Sequence, residues 1–204
     1  MEVQERIRQK ADELFRRYGI RSVTMDEIAT QLGMSKKTIY QYYADKDQLV
    51  DAVAVDEINY SQECCMRDAE VSANAIEEIF RVMEFVEVMF RNMNPSMLHD
   101  LEKYHPLGYR KFLEHKNKFL FDMIRKNIER GIAEELYRPE IDIEIMARYR
   151  IESMMLLFKP EIFPTTKFNL VKLHQEILEH FLYGLATLKG YKLILKYKQQ
   201  RLNK

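Results

Sequence analysis

The chain has 204 residues, with 32 Lys+Arg against 32 Asp+Glu and so no formal net charge, which excludes a globally basic polymer binder but not a local basic patch. Hydrophobic residues make up 47%, and there are only six Gly and five Pro, so long disorder and a turn-rich all-β or collagenous fold are excluded. Cys64 and Cys65, adjacent in sequence, are no disulfide framework, and adjacent helix positions point about 100° apart, against a bond between them; they suit a reducing cytoplasm. The start, MEVQERIRQK, lacks an apolar signal region. The apolar run Met154 to Phe158 is far below the roughly 20 residues a membrane span needs. The expectation is a cytoplasmic protein without a membrane partner.

In chain order, Val3, Ile7, Ala11, Leu14, Phe15 and Tyr18 recur on one helical face. Gly19 and Ile20 follow as a helix stop with its hydrophobic contact. Thr24 and Glu27 form a T-x-x-E capping box that opens a second helix through Leu32, broken at Gly33. Ser35 caps a third helix, Lys36 to Tyr43. Asp45, with Gln48 three residues on, opens a fourth that runs into the Cys64 region. Longer helices follow: Ala73 to Met93, a short piece ending at Tyr104, Gly108 to Glu135, and one opened by Pro139 and Asp142 that ends near Phe158. After a loop at 160–166, a last helix runs from about Phe168 to at least Leu188. The chain reads as all-α, with a domain boundary near residue 50: a head at 1–50 carrying a motif at 24–43, and a helical body at 51–204.

Two capped helices joined by a tight turn at Gly33-Met34 make a helix-turn-helix over Thr24 to Tyr43. A helix of this kind fills a DNA major groove and presents its N-terminal residues to base edges. Lys36 and Lys37 place positive charge at a helix N-terminus, where the dipole repels it; that local cost points to a contact with phosphate or guanine. Thr38, Tyr40 and Tyr42 add hydroxyl donors, and Lys46 sits at the start of the next helix, where backbone N–H groups favour an anion.

The stretch from Thr24-Met25-Asp26-Glu27-Ile28-Ala29 through Gly33-Met34-Ser35-Lys36-Lys37-Thr38-Ile39-Tyr40-Gln41-Tyr42-Tyr43 to Asp45-Lys46-Asp47-Gln48-Leu49 resembles the TetR family of bacterial transcriptional regulators. The T-x-x-x-I-A, G-x-S-x-x-T-x-Y-x-Y and D-K-x-x-L elements match in register over roughly the first fifty residues. Further on, Tyr137-Arg138-Pro139-Glu140 looks like the family's link into its first dimerisation helix, and Tyr183 to Gly190 looks like one subgroup's tail. The resemblance implies an N-terminal three-helix DNA-binding head, a C-terminal helical domain for ligand binding and dimerisation, and a homodimer on a palindromic double-stranded operator. Carried over by position, Thr24, Ser35, Thr38, Tyr40, Tyr42 and Lys46 would touch backbone phosphates, and Lys36 and Lys37 would approach bases. Two positions depart from the pattern. Lys37 stands where a small residue is common, and Tyr43 stands where Phe is usual, so its buried hydroxyl needs a partner.

The body is rich in Met and aromatic residues. Met83, Met89, Phe90, Met93, Tyr104, Phe112, Phe119, Met123, Met154 and Phe158 are the candidate lining of an adaptable apolar pocket for a hydrophobic effector, although core packing explains most of them one by one. Glu84, Glu87, Tyr104, Arg148, Arg150 and Glu152 are polar groups available to face such a pocket. His174 falls within the apolar arc of the last helix, as an interface histidine with its hydrogen bonds met would. His99, His105 and His115 lack metal-site spacing, no cofactor is implied, and no nucleophile elbow, phosphate loop or carboxylate pair suggests an enzyme.

On the last helix Leu170, Leu173, Ile177, Phe181, Gly184 and Leu188 form one stripe, and Val171, Leu178, Leu182 and Leu185 a second. Their combined arc is wider than one core needs. The first stripe is assigned to a twofold mate and the second to the chain's own core, with the helix from Met146 to Phe158 joining the seam. The reading is therefore a ligand-responsive repressor; a DNA-binding regulator without a small effector, or a helical protein–protein adaptor, remain open alternatives.

Overall fold

A computed structural model of the chain describes residues 2–91 and 93–202. In chain order the helices are α1 Val3–Tyr18, α2 Met25–Leu32, α3 Lys36–Tyr42, α4 Lys46–Val71, α5 Ala75–Phe90, α6 Met97–Tyr104, α7 Pro106–Glu114, α8 Phe121–Ala133, α9 Ile143–Met155, α10 Leu170–Leu185 and α11 Leu188–Leu202. A π-helical stretch, His115–Leu120, separates α7 from α8, and a 3-10 turn, Leu156–Phe158, ends α9. Among the described residues the only β pairing is a single bridge between Tyr137 and Ala186. The all-α expectation holds.

The chain forms two compact units: Met1–Ser61 with Asn92–His115, and Gln62–Arg91 with Lys116–Lys204. The expected cut at residue 50 differs from this division, and the reason is packing. The first unit's core joins Ile7, Ala11 and Phe15 of α1, Ile28 of α2, Ile39 of α3 and Leu49, Val50 and Val53 of α4. Met97 and Leu101 of α6 pack on the same core. The Asn94 N–H donates to the Arg16 carbonyl at 2.6 Å, and the buried Asp100 carboxylate accepts the Arg21 N–H at 3.0 Å. A segment forty residues downstream thus completes the head.

The second unit is built around Ile76, Phe80, Met83, Ile128, Tyr137, Ala147, Leu178, Leu182 and Ile194. Full burial of such side chains contributes roughly 1.5–3 kcal/mol each. Tyr137 is wholly buried, and its hydroxyl donates toward Asn127 Oδ1 at 3.2 Å. The segment Leu136–Arg138 crosses the end of α10. Arg138 N–H donates to the Leu185 carbonyl at 2.9 Å, Thr187 N–H to the Leu136 carbonyl at 2.9 Å, and the Arg138 guanidinium to the Gly184 carbonyl at 2.7 Å. The two Arg138 bonds take the last carbonyls of α10. The expected unbroken helix through Leu188 therefore stops at Leu185, and Thr187 starts α11 by accepting the Gly190 N–H on its hydroxyl at 3.1 Å.

Candidate nucleic-acid interface

The turn between α2 and α3 is set by three local devices. Thr24 Oγ1 accepts the Glu27 N–H at 3.1 Å and opens α2. Gly33 sits in the left-handed region, φ 64°, ψ 29°, where a residue without Cβ carries no penalty. With it, the Met34 N–H reaches back to the Ala29 carbonyl at 2.9 Å, a Schellman-type stop. Ser35 Oγ then accepts the Thr38 N–H at 3.1 Å and opens α3. Ile39 is the residue of α3 that anchors it, fully buried in the head core. Helix α4 is capped reciprocally, Asp45 accepting from the Gln48 N–H at 2.8 Å and Gln48 accepting from the Ala44 N–H at 2.6 Å. Tyr43 is 2% exposed, and its hydroxyl accepts from Arg8 at 3.3 Å; that meets the need set by its departure from Phe.

The anchoring of Ile39 leaves the other face of α3 open. Lys36, Lys37, Tyr40 and Tyr42 are exposed, as are Thr24 and Ser35, while Thr38 is half-buried. The two lysines differ. Lys36 Nζ lies 2.8 Å from Asp26 and 5.8 Å from the centre of the Tyr40 ring. Both partners of that pair are more than half exposed, so it is worth little and yields readily. Lys37 makes no hydrogen bond or ion pair with any described residue. Lys46 is turned inward instead: its ammonium donates to the Ile20 carbonyl at 2.5 Å above the Phe15 ring, and burial lowers its pKa. In this state Lys46 braces the loop before Thr24. A phosphate contact from it requires that bond to be exchanged. Arg21, exposed in the same loop, carries a further positive charge that motif reading passed over because it precedes the capping box.

The other sequence candidates divide between the units. Met93, half-buried, Tyr104, exposed beneath the cations of Arg21 and Lys103, and Phe112, stacked on Tyr109, belong to the first. Met83 and Phe90, buried, and Met89, Phe119, Met123, Met154 and Phe158, half-buried, belong to the second. Of the polar candidates, Arg148 pairs with Glu144, Glu152 with Lys116, and Glu87 with Arg201 and Gln175; Arg150 alone is a buried cation. The candidate seam residues also divide. Leu170 and Phe181 are buried within the chain, Leu173 and Ile177 are half-buried, and Gly184 is exposed with open space where a Cβ would stand. Leu188 is not on α10 at all but opens α11, 72% exposed. Cys64 and Cys65 are both buried and form no disulfide with each other. Among the described residues no cluster of three metal-binding side chains exists, and no helix is long and apolar enough to cross a membrane.

A trihelical head with an exposed, lysine-bearing third helix behind a tight glycine turn is a helix-turn-helix DNA-binding unit. Residues 7–53 match the family described as bacterial regulatory proteins, tetR family. An uncharacterised HTH-type transcriptional regulator of Bacillus subtilis, YvaF, is 36% identical over 86 residues, which span 41% of this chain and 45% of that relative, less than half its length. A transcriptional regulator of Cytophaga hutchinsonii has the same fold: TM-score 0.70 at 22% identity over 90% of this chain and 98% of that one. So does the regulator FadR of Bacillus subtilis, solved in complex with stearoyl-CoA: TM-score 0.64 at 16% identity over 89% of this chain and 98% of that one. The head of the chain thus matches the tetR family of bacterial regulatory proteins, and the chain shares its fold with solved transcriptional regulators.

The difference between the lysines gives an expected result. Lys37→Ala should change base preference, at about 1–3 kcal/mol for the affected base pair. Lys46→Ala should weaken all sequences alike and lower the salt slope by about one. Fluorescence anisotropy against a randomised operator set at several salt concentrations measures both. Unchanged binding by both variants would remove α3 and the start of α4 from the interface.

Proposed function

We propose that the protein is a homodimeric cytoplasmic repressor that leaves a palindromic operator when a hydrophobic small molecule binds its second unit. The observation that carries this reading is the pairing, in one chain, of a DNA-reading head with a helical unit that keeps an apolar strip uncovered. That strip consists of Ile145 (63% exposed) and Tyr149 (49% exposed) on α9, with Leu173, Ile177 and Gly184 on α10. Tyr149 stacks on Phe181 at 6.3 Å, so α9 and α10 present it together. A second copy would cover it as an isologous face. In the dimer the two α3 helices would reach successive major grooves, roughly 34–36 Å apart. The effector would act by differential affinity, favouring a dimer conformation in which that spacing is lost. The apolar interior around Met83, Phe90 and Phe158, and the acyl-CoA ligand of the Bacillus subtilis FadR, support an apolar effector. Lys36, Lys37, Tyr40, Tyr42, Thr24, Ser35 and Thr38 are the proposed contact face on DNA, joined by Lys46 once it leaves Ile20.

Gel shifts with genomic fragments should isolate an operator with twofold symmetry. Thermal-shift screening should then find stabilisers among lipophilic compounds, and the same compounds should release the operator. A protein stabilised only by sugars or metal ions would overturn the apolar effector. A protein that binds no fragment would overturn the repressor.

A further inference from the structure

His174 of α10 is 1% exposed, and neither ring nitrogen has a hydrogen-bond partner. Arg150 of α9 is 5% exposed, and its Nη1 also has none. No carboxylate of a described residue pairs with this guanidinium; it lies 5.8 Å from the centre of the Phe181 ring. Burial alone pulls its pKa down to about 10. The two groups sit on α9 and α10, which pack against each other; burial, with the charges of Arg150 and Arg201, pushes the His174 pKa down to about 3, so the imidazole is neutral at physiological pH. The surroundings are otherwise apolar, with Phe90 edge-on to His174 at 5.7 Å and to Phe158 at 5.6 Å. Arg201 is already satisfied by Glu87, which also accepts from Gln175 at 2.7 Å. One positive charge and three polar atoms are thus left without partners in the interior of the second unit.

Such groups are costly unless something binds them. A planar fork of N–H donors on α9 and, on the α10 helix packed against it, a neutral imidazole, which offers one donor and one acceptor, match a carboxylate with one tail. The ring-lined surroundings match an apolar skeleton. We propose that Arg150 and His174 are the polar anchor of the effector site, and that the effector is an apolar molecule bearing a single carboxylate. The inference rests on the effector reading given above and adds the chemistry of the ligand's head.

The test uses the full-length protein with decanoate and oleate, below their micellar concentrations, alongside their methyl esters and the CoA thioester of the same chain, read by thermal shift and by calorimetry. The free acids should stabilise the parent protein; the methyl esters, which keep the tail but not the charge, should bind about ten- to a hundredfold more weakly. Arg150→Leu should melt at or above the parent temperature without ligand, because it removes an unpaired buried cation, and should lose the response to acids while still binding operator DNA. His174→Phe should lose part of that response. A structural guanidinium would behave oppositely: Arg150→Leu and Arg150→Met would both be unfolded, and that overturns the proposal. Equal binding of acids and esters, an acid response retained in Arg150→Leu, or stabilisation by the CoA thioester alone would also overturn it. So would a parent protein unmoved by either acid. In that case, release of the operator by a neutral lipophile would leave the broader effector reading standing, and no release by any lipophile would end both.

Discussion

Gly184→Arg should halve the solution mass from about 49 kDa, twice the 24.6 kDa of the chain, and should cost operator affinity about a hundredfold or more. The argument is a gradient of burial around α10. With Leu170 at zero and about 100° per residue, Leu178, Leu182 and Leu185 fall near 60–120° and are at most 1% exposed. Leu170 and Phe181, near 0–20°, are 8% and 4% exposed. Leu173, Gly184 and Ile177, near 300–340°, are half-buried or exposed. The chain's own core therefore takes all but the outer edge of the stripe assigned to the mate. That edge continues into Ile145 and Tyr149 of α9. A glycine in a helix is about 1 kcal/mol less favourable than alanine, and nothing within 4 Å of Gly184 in its own chain requires one; close approach of a second copy would. An arginine there would be forced, unpaired, into an apolar contact. Lys172→Glu, on the exposed opposite side of α10, should leave the dimer intact. Light scattering and operator titration check both variants; a Gly184→Arg protein that stays dimeric would move the interface elsewhere.

The helices of the head could be read almost residue by residue because their ends are local. Thr24, Ser35 and Asp45–Gln48 each form the cap that their spacing implies. Even the partner required by Tyr43 exists, in Arg8. What the sequence hides is set by residues far apart along the chain. The end of α10 is imposed by Leu136–Arg138, some fifty residues earlier, and Thr187 was a readable N-cap only once that break was known. The head extends past residue 50 because Met97, Asp100 and Leu101 pack on it, and no periodicity announces which core a short helix joins. Periodicity placed His174 on the buried arc. That its nitrogens lack partners depends on α5, α9 and α11 together. Lys46 shows the same limit: its helix-start position suits a phosphate, yet its reach carries it to Ile20 instead.

Gly131→Ala should destabilise the second unit strongly, as should Gly190→Ala, whose Cβ would stand 2.1 Å from the Leu136 carbonyl oxygen. A Cβ at position 131 would stand 2.0 Å from Tyr137 Cδ2 and 2.7 Å from Cγ. Cγ is the root of the ring and cannot swing clear by a small rotation. Tyr137 is 0% exposed, and its hydroxyl is tied to Asn127, which itself donates to the Ala75 carbonyl at 2.9 Å. The backbone is fixed as well, since the Leu136 and Tyr137 N–H groups both bond to the Gly131 carbonyl, at 2.8 and 3.0 Å. Relief therefore requires moving the segment that also ends α10. Overpacking of this kind costs about 3 kcal/mol, or roughly 6–12 °C in melting temperature for a chain of this size. Gly184→Ala, with nothing within 4 Å, should instead raise the stability of the isolated helix by about 1 kcal/mol. Combining Gly131→Ala with Tyr137→Ala should remove the clash, because Cγ and the ring vanish together, at the separate cost of the cavity that the ring leaves. Differential scanning calorimetry of these proteins decides the point. A Gly131→Ala variant that melts with the parent would mean that the Leu136–Arg138 segment slides freely over α8, and the account of how α10 ends would fall with it.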